Sequence, residues 1–266
     1  MKKIALLLVT VITVFNTYAQ KLPTTQQISL RAPDDIKIDG KTTEWGKLQA
    51  YNPPTEINYT IANDDKKLYL VVQVSGGLIT NIANGGIRLA IQKNGGRNDT
   101  GAPFIKYPYL EKAKRLPINP RDFNGAADTI VAKYNKQLTT NAKWIYTNGL
   151  NGVDSLLSVY NDRGVAAAGY FNSDMKYTLE MAVDLSLFGL SVENASKFSY
   201  HIIANAEPNK YSMAVYMDYI KNVFERNSQV FSLTREDSDR ALENLRVADG
   251  RFNASTDFWG EYTLAK

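Results

Sequence analysis

Short stretches in which apolar and polar residues alternate recur along the chain. The clearest is residues 68–74, where every second residue from Leu68 to Val74 is apolar. This alternation predicts a β-strand with one buried face, because successive side chains of a strand point to opposite sides. The same alternation or a similar apolar run predicts further strands at residues 87–91, 155–160, 165–171, 177–183, 200–205, 211–216 and 262–264.

Turn-forming residues separate these strands, and helical patterns are few. The sequence from Asn161 to Gly164 predicts a hairpin between residues 155–160 and 165–171. Residues 184–189 predict one helical turn ended by Gly189, and residues 238–247 have helical spacing. We therefore predict an all-β fold, an antiparallel β-sandwich with one or two short helices.

One long stretch, residues 95–128, has little periodicity and contains Asn, Gly, Pro and scattered aromatic residues. We predict it to be a long loop inserted in the sandwich. Loops of this length are usually functional or disordered.

The first 19 residues differ from the rest of the chain. Lys2 and Lys3 precede an apolar stretch at residues 4–15, and Thr17-Tyr18-Ala19 offers a cleavage site before Gln20. This order is typical of a signal peptide, and the apolar stretch is shorter than the ~20 residues that span a bilayer. We expect a bacterial, exported protein, periplasmic or extracellular, with no membrane span. No cysteine follows the apolar stretch, which argues against a lipoprotein, and residues 20–266 are expected to form one domain.

Charge and cysteine content exclude several functions. Removing Lys2 and Lys3 leaves 29 of the 31 basic residues against 27 acidic ones, a formal charge of +2. This small charge, without a basic stripe, argues against nucleic-acid binding. The absence of cysteine excludes disulfides and a thiol nucleophile, and the single histidine, His201, excludes a zinc site built on two histidines.

Residues 36–45, Ile-Lys-Ile-Asp-Gly-Lys-Thr-Thr-Glu-Trp, form the most distinctive motif. Two alternating isoleucines lead into the turn Asp39-Gly40, and Glu44-Trp45 returns the chain toward a core. The motif resembles the opening strand of the family 9 carbohydrate-binding modules and their secreted relatives. Segments similar to the same family follow in the family's order, at residues 64–70, 86–91, 177–189, 202–205 and 258–264. The resemblance implies an immunoglobulin-like or jelly-roll sandwich that binds carbohydrate without catalysis.

The positions that would hold the sugar depart from the family pattern. The resemblance implies two tryptophans that clamp the ligand, and the first of these positions lies near Ile82. Tyr216 or Tyr219 stands where the second is expected, beyond Asn205, which is itself a candidate for contact with the sugar.

No cofactor is expected, although the resemblance leaves calcium open. The family has acidic residues around the fourth strand, some of which bind calcium. Gly85, Gly86 and Gln92 replace them in this chain.

Aromatic residues that a strand or core does not explain are the better candidates for sugar contact. An aromatic ring covers the apolar face of a pyranose, while polar side chains hydrogen-bond its hydroxyls. Tyr107 and Tyr109 in the predicted loop are the clearest candidates, followed by Trp144. Trp45 and Trp259 lie in scaffold motifs and are expected in the core.

Two other functions stay open. The chain is also consistent with a cell-envelope module that has lost the sugar site, as Ile82 suggests, and contacts a protein through residues 95–128. A glycan-active enzyme needs only two carboxyl groups ~5–10 Å apart, and Glu180 is the acid to inspect first. Glu180 is alternatively a buried carboxylate that ties two strands together, and His201 is expected to be packed or hydrogen-bonded within its strand.

Overall fold

A computed structural model describes residues 21–119, 122, 127–194, 197–206 and 254–266. The strands of this part are β1 (Ala50–Asn52), β2 (Ile57–Asn63), β3 (Lys67–Val74), β4 (Ile87–Gln92), β5 (Phe104–Tyr109), β6 (Trp144–Asn148), β7 (Leu156–Ser158), β8 (Val165–Phe171), β9 (Tyr177–Asp184), β10 (Lys197–Ala204) and β11 (Thr256–Thr263). The α-helices are α1 (Leu78–Gly85) and α2 (Asp128–Asn141), and short 3₁₀ helices lie at Lys112–Lys114 and Leu185–Phe188.

The strands form two antiparallel sheets packed face to face. The five-stranded sheet has the order β1-β2-β3-β9-β8, and the six-stranded sheet has the order β11-β10-β4-β5-β6-β7. Alternate side chains of both sheets point into one shared hydrophobic core. The prediction of an all-β antiparallel sandwich is confirmed, as is the 3₁₀ turn that ends at Gly189.

Two tyrosines connect the sheets through the middle of the core. The hydroxyls of Tyr59 in β2 and Tyr200 in β10 lie 2.9 Å apart. Burial raises the pKa of both phenols, so each hydroxyl keeps its proton and can donate. The ring of Tyr200 crosses Gly260 of β11, where a Cβ would lie 2.1 Å from ring atoms. A glycine in the middle of this strand therefore makes room for the tyrosine.

The sequence patterns that predict the strands do not predict either α-helix. Every residue of α1 is buried, although Leu78, Ile79 and Ile82 lie on one side and the polar Thr80, Asn81 and Asn84 on the other. Eight residues are too few for this helical spacing to stand out in the sequence. Helix α2 buries Val131, Tyr134 and Leu138, a spacing of three and four residues that is itself a helical signal. The predicted signal peptide, the strand at 211–216 and the helix at 238–247 lie outside the described residues.

The predicted hairpin around Asn161 is wrong. Strand β7 is an edge strand of the six-stranded sheet and β8 is an edge strand of the other, so the turn crosses between the sheets. The Asn161 side-chain amide donates to the carbonyls of Ser158 at 2.7 Å and Val165 at 2.8 Å. The sequence pattern specifies this turn, but it does not specify the sheet to which each flanking strand belongs.

The prediction of one long loop at residues 95–128 is also wrong, because β5 lies within it. Strand β5 pairs with β4 on one side and with β6 on the other. The register shifts between Lys106 and Tyr109, next to Pro108. A proline and a shift in register both hide the alternation by which a strand is recognised.

The chain that precedes β1 covers the outer face of the five-stranded sheet. Trp45 and Leu48 are buried there against Tyr69, Val71 and Ala182 of the sheet. The expectation that Trp45 is a core residue is confirmed, since only 7% of its surface is exposed. The outer face of the six-stranded sheet carries the half-buried side chains of Arg88, Phe104, Tyr146 and Trp259.

A buried carboxylate holds the motif at residues 36–45 in place. Glu180 of β9 is 0% exposed and accepts the backbone N–H groups of Asp39 at 2.9 Å and Gly40 at 2.7 Å. Its other oxygen accepts the Nε1–H of Trp45 at 2.5 Å. Glu180 is thus the predicted buried, hydrogen-bonded carboxylate, although it ties a turn to a strand rather than two strands to each other.

The glycine of this motif is required by its surroundings. Gly40 has φ +80°, and a Cβ there would lie 2.5 Å from the backbone carbonyl carbon of Gly169 in β8. Only a residue without a side chain fits this contact and adopts this backbone conformation without strain. Asp39-Gly40, Trp45 and Glu180 form one hydrogen-bonded unit, which we call the Glu180 cluster.

Candidate functional site

The candidate site lies on the outer face of the six-stranded sheet. Residues directly opposite each other in neighbouring antiparallel strands share a face. One row on this face contains Asp257, Ile203, Arg88, Lys106, Tyr146 and Leu156. The next row contains Trp259, His201, Ala90, Phe104 and Asn148.

Aromatic side chains form a band along this face. We define the aromatic band as Phe104 and Tyr109 of β5, Trp144 and Tyr146 of β6, and Trp259 of β11. The rings of Phe104 and Tyr146 have centroids 5.6 Å apart, and Tyr146 stacks on Tyr109 at 5.5 Å. Tyr109 and Trp144 are opposite each other in neighbouring strands and expose 38% and 42% of their surface. The structure therefore brings together two of the residues that the sequence selects.

A chain of polar contacts joins the β5–β6 part of the band to Trp259. The guanidinium of Arg88 lies 4.1 Å from the ring centroid of Phe104 and forms an ion pair with Asp99 at 2.5 Å. The same Asp99 oxygen lies 2.9 Å from Nδ1 of His201, whose Nε2 lies 2.8 Å from Asp257. We call Arg88, Asp99, His201 and Asp257 the polar network.

The polar network fixes the orientation of its members. The His201 ring stacks on Trp259 with centroids 4.2 Å apart and planes 11° apart. Burial acts to raise the pKa of Asp99, but hydrogen bonds from His201 and Arg88 outweigh it and hold the pKa below its ordinary value. Asp99 is consequently an ionised acceptor at neutral pH. His201 matches the expectation of a packed, hydrogen-bonded histidine, since 8% of it is exposed.

A cavity of about 370 Å³ opens beside the Trp259 end of the band. It lies between residues 25–29 and the edge strand β11, and Trp259 forms part of its wall. Lys197 and Glu261, which pair at 2.5 Å, and the exposed Arg97 also line it. This cavity combines an aromatic wall with charged groups of both signs.

Tyr107 and Trp259 do not lie where the sequence predicts them. Tyr107 is 4% exposed and donates its hydroxyl to the carbonyl of Ala142 at 3.3 Å, so it cannot offer a ring face to a ligand. It points inward because it is one residue out of phase with Lys106, which faces outward. Trp259 is the reverse case, since it is half-buried on the outer face instead of in the core.

Asn205 does not join the band. Asn205 donates its side-chain amide to the carbonyl of Gly86 at 3.0 Å, and its backbone N–H donates to the same oxygen. This contact fastens the end of β10 to the start of β4. Tyr216 and Tyr219 lie outside the described residues. Ile82, where the resemblance implies a tryptophan, is wholly buried in α1.

The alternation of apolar and polar residues in the sequence does not identify several members of the site. Phe104 and Tyr146 are large aromatic residues that point outward next to the inward-facing Ile105 and Ile145, so apolar residues occur on both faces of each strand at these positions. Arg88 and Asp99 are unremarkable in sequence. The pattern Trp144-x-Tyr146, two large aromatic residues on one strand face, is a further sequence signal that points to the band.

Within the described ranges, no group of three or more His, Cys, Asp or Glu side chains is arranged to hold a metal ion. The described helices include none that is both long and apolar enough to cross a membrane.

A scan against protein-family models finds no match for this chain, and a search of curated proteins also finds none.

Proposed function

We propose that the protein binds carbohydrate, without catalysis, on the outer face of the six-stranded sheet. The observation that carries this proposal is the aromatic band with the polar network beside it. Aromatic rings cover the apolar C–H face of a pyranose, and fixed carboxylate and guanidinium groups hydrogen-bond its hydroxyls. Both kinds of group occur side by side on this face.

The arrangement of the rings favours binding. Tyr109 and Trp144 expose over a third of their surface each, in a contiguous patch with Tyr146 and Phe104. Exposed apolar patches on folded proteins commonly mark binding sites. Because Tyr146 is packed between Phe104 and Tyr109, its ring loses little conformational freedom when a ligand arrives.

The environments of Asp99 and Glu180 support binding over hydrolysis. A glycosidase of the common type needs one carboxyl group that stays protonated to donate to the leaving group. Asp99 has a pKa below its ordinary value and accepts from His201 and Arg88. Glu180 is buried beneath residues 36–45, and both its oxygens accept hydrogen bonds there. Neither group is placed to act as the acid.

One observation favours a second candidate, a protein-interaction module of the cell envelope. Beyond the band, Leu156 of β7 is 42% exposed and Tyr160 is 75% exposed. An aliphatic residue such as Leu156 suits a protein partner better than a sugar ring. Carbohydrate binding predicts that at least one polysaccharide gel retards the protein, whereas a protein-interaction module predicts that none does.

The test is affinity electrophoresis of the chain without its predicted signal peptide through gels that contain xylan, β-glucan, mannan, pectin or starch. At least one polysaccharide should retard the unmodified protein. Trp144→Ala and Tyr146→Ala should each weaken binding by about 2- to 10-fold, since an aromatic contact contributes about 0.5–1.5 kcal/mol.

The matched control is Tyr170→Ala. Tyr170 is a half-buried aromatic residue of β8 on the opposite sheet, where Lys41 lies 5.3 Å from its ring centroid. Its replacement should leave affinity unchanged. If no polysaccharide retards the protein, or if Tyr170→Ala weakens binding as much as the band variants, the proposal is wrong.

A further inference from the structure

The band and the polar network extend across most of the six-stranded sheet. Trp259 lies on β11, His201 on β10, Arg88 on β4, Phe104 on β5 and Tyr146 on β6, so five adjacent strands each contribute an outward-facing member. Neighbouring strands are about 4.8 Å apart, so these members extend over roughly 19 Å. A single sugar ring cannot contact both ends of such a surface.

From this extent we infer that the site binds the interior of an extended polysaccharide whose axis runs across the strands. The inference rests on the proposed function and names its ligand class. A pyranose unit in a flat, equatorially linked chain advances by a distance comparable to the ~4.8 Å between neighbouring strands. A chain that crosses the strands therefore places about four consecutive units over the surface from β11 to β6.

The distribution of chemistry along this path fits a chain of repeating units. At one end Trp259 offers an aromatic surface, and at the other end Tyr109, Tyr146 and Trp144 do so. Between them, Asp99 and Arg88 supply a hydrogen-bond acceptor and donors at the level of β10 and β4. Apolar ring faces and hydroxyls of successive units thus meet matching groups along the whole path.

Both ends of the path continue into accessible surface among the described residues. Beyond Trp259 lies the cavity of about 370 Å³, which has room for at least one further sugar unit. Beyond Trp144 the path reaches Tyr160, which is 75% exposed. The hydroxyl oxygen of Tyr160 accepts a hydrogen bond from the ammonium of Lys143 at 2.6 Å. A path open at both ends suits the interior of a chain rather than its terminus.

Isothermal titration of the unmodified protein with oligosaccharides of one to six units tests this inference. The probes are β-1,4-linked gluco-, xylo- and manno-oligosaccharides, with the coiled α-1,4-linked gluco-oligosaccharides for comparison. For at least one extended series, affinity should rise at least 100-fold from one unit to four or five units and then level off. Borohydride reduction of the chain end of the six-unit probe should change affinity less than twofold.

Variants at the two ends sharpen the test. With Trp259→Ala or Trp144→Ala, affinity should stop rising at a chain about one or two units shorter than for the unmodified protein. Tyr170→Ala should leave the length dependence unchanged. Thermal melts followed by circular dichroism confirm that each variant is folded, and the length series itself needs no variant.

The outcomes separate this inference from the proposed function. Binding that is already at its maximum with one or two units, or that is lost when the chain end is reduced, overturns the inference and leaves carbohydrate binding intact. No binding of any oligosaccharide or polysaccharide overturns both.

Discussion

The Glu180 cluster gives the sharpest prediction about stability. Glu180 accepts N–H groups from Asp39, Gly40 and Trp45 at a site closed to solvent. Glu180→Ala removes the only acceptor that these donors share in the cluster. The donors would then be buried without a partner unless the turn moves away from the sheet.

The expected magnitude follows from the number of donors. A buried donor left without its acceptor costs about 1–3 kcal/mol. Burial raises the pKa of Glu180 in spite of its hydrogen bonds, which means that desolvation of the carboxylate opposes folding. Removing the carboxylate in Glu180→Ala removes this desolvation cost and so offsets part of the stability lost from the unpaired donors. We expect Glu180→Ala to lower the free energy of unfolding by about 3–5 kcal/mol. Glu180→Gln keeps one acceptor oxygen and should cost about 1–3 kcal/mol.

Urea unfolding at neutral pH, followed by circular dichroism, measures these differences. Glu193→Ala is the matched control, since Glu193 is an exposed glutamate, and it should change stability by less than about 0.5 kcal/mol. Trp45→Phe removes one N–H donor, so no buried donor is left without an acceptor. It should therefore lower the free energy of unfolding by less than Glu180→Ala does. A loss under about 1 kcal/mol for Glu180→Ala would refute the argument that the cluster is buried and fully paired.

The remaining predictions concern two glycines and one ionised group, all read out by the same unfolding measurement. Gly40→Ala should cost at least about 2 kcal/mol more than Gly46→Ala, because both have positive φ but only Gly40 would also force its Cβ against the backbone. Equal losses would contradict the contact. Gly260→Ala should destabilise the protein, because the added methyl group meets the Tyr200 ring, and an unchanged midpoint in urea would show that the ring can move aside. The lowered pKa of Asp99 means that its stabilisation is present above the ordinary value of about 3.9 and is lost as pH falls through the lower folded value. The fall in stability between neutral pH and pH ~2 should therefore be shallower in Asp99→Asn, whereas parallel curves would contradict this.

Much of the sandwich can be predicted because its inner strands obey a simple rule. Strand β3 buries Leu68, Leu70 and Val72 in the core between the sheets, as its alternation predicts. The rule fails where the opposite face is also covered or the register shifts. Strand β5 is hidden by Pro108 and its register shift, and α1 by its length of only eight residues.

The site is harder to predict than the fold because its aromatic residues resemble core residues. Tyr109 and Trp144 can be selected from the sequence, since no predicted strand explains them. Trp259 cannot, because the predicted last strand starts at residue 262, whereas β11 begins at Thr256. Once the longer strand is known, Phe258 and Tyr262 occupy the inward face, and Trp259 must face outward.

The motif at residues 36–45 and the aromatic band use opposite faces of the sandwich, and this separates stability from binding. The motif occupies the outer face of the five-stranded sheet, where Trp45 is buried and both oxygens of Glu180 accept hydrogen bonds, so neither of these two groups is available to a ligand. The band retains exposed ring surface on the other sheet. Glu180→Gln should therefore lower the free energy of unfolding and leave the affinity of the folded protein for polysaccharide unchanged. Tyr146→Ala should weaken affinity with a smaller effect on stability, because Tyr146 is only half-buried. If Glu180→Gln weakened affinity as strongly as Tyr146→Ala, the two faces would be coupled, and the motif would belong to the binding site.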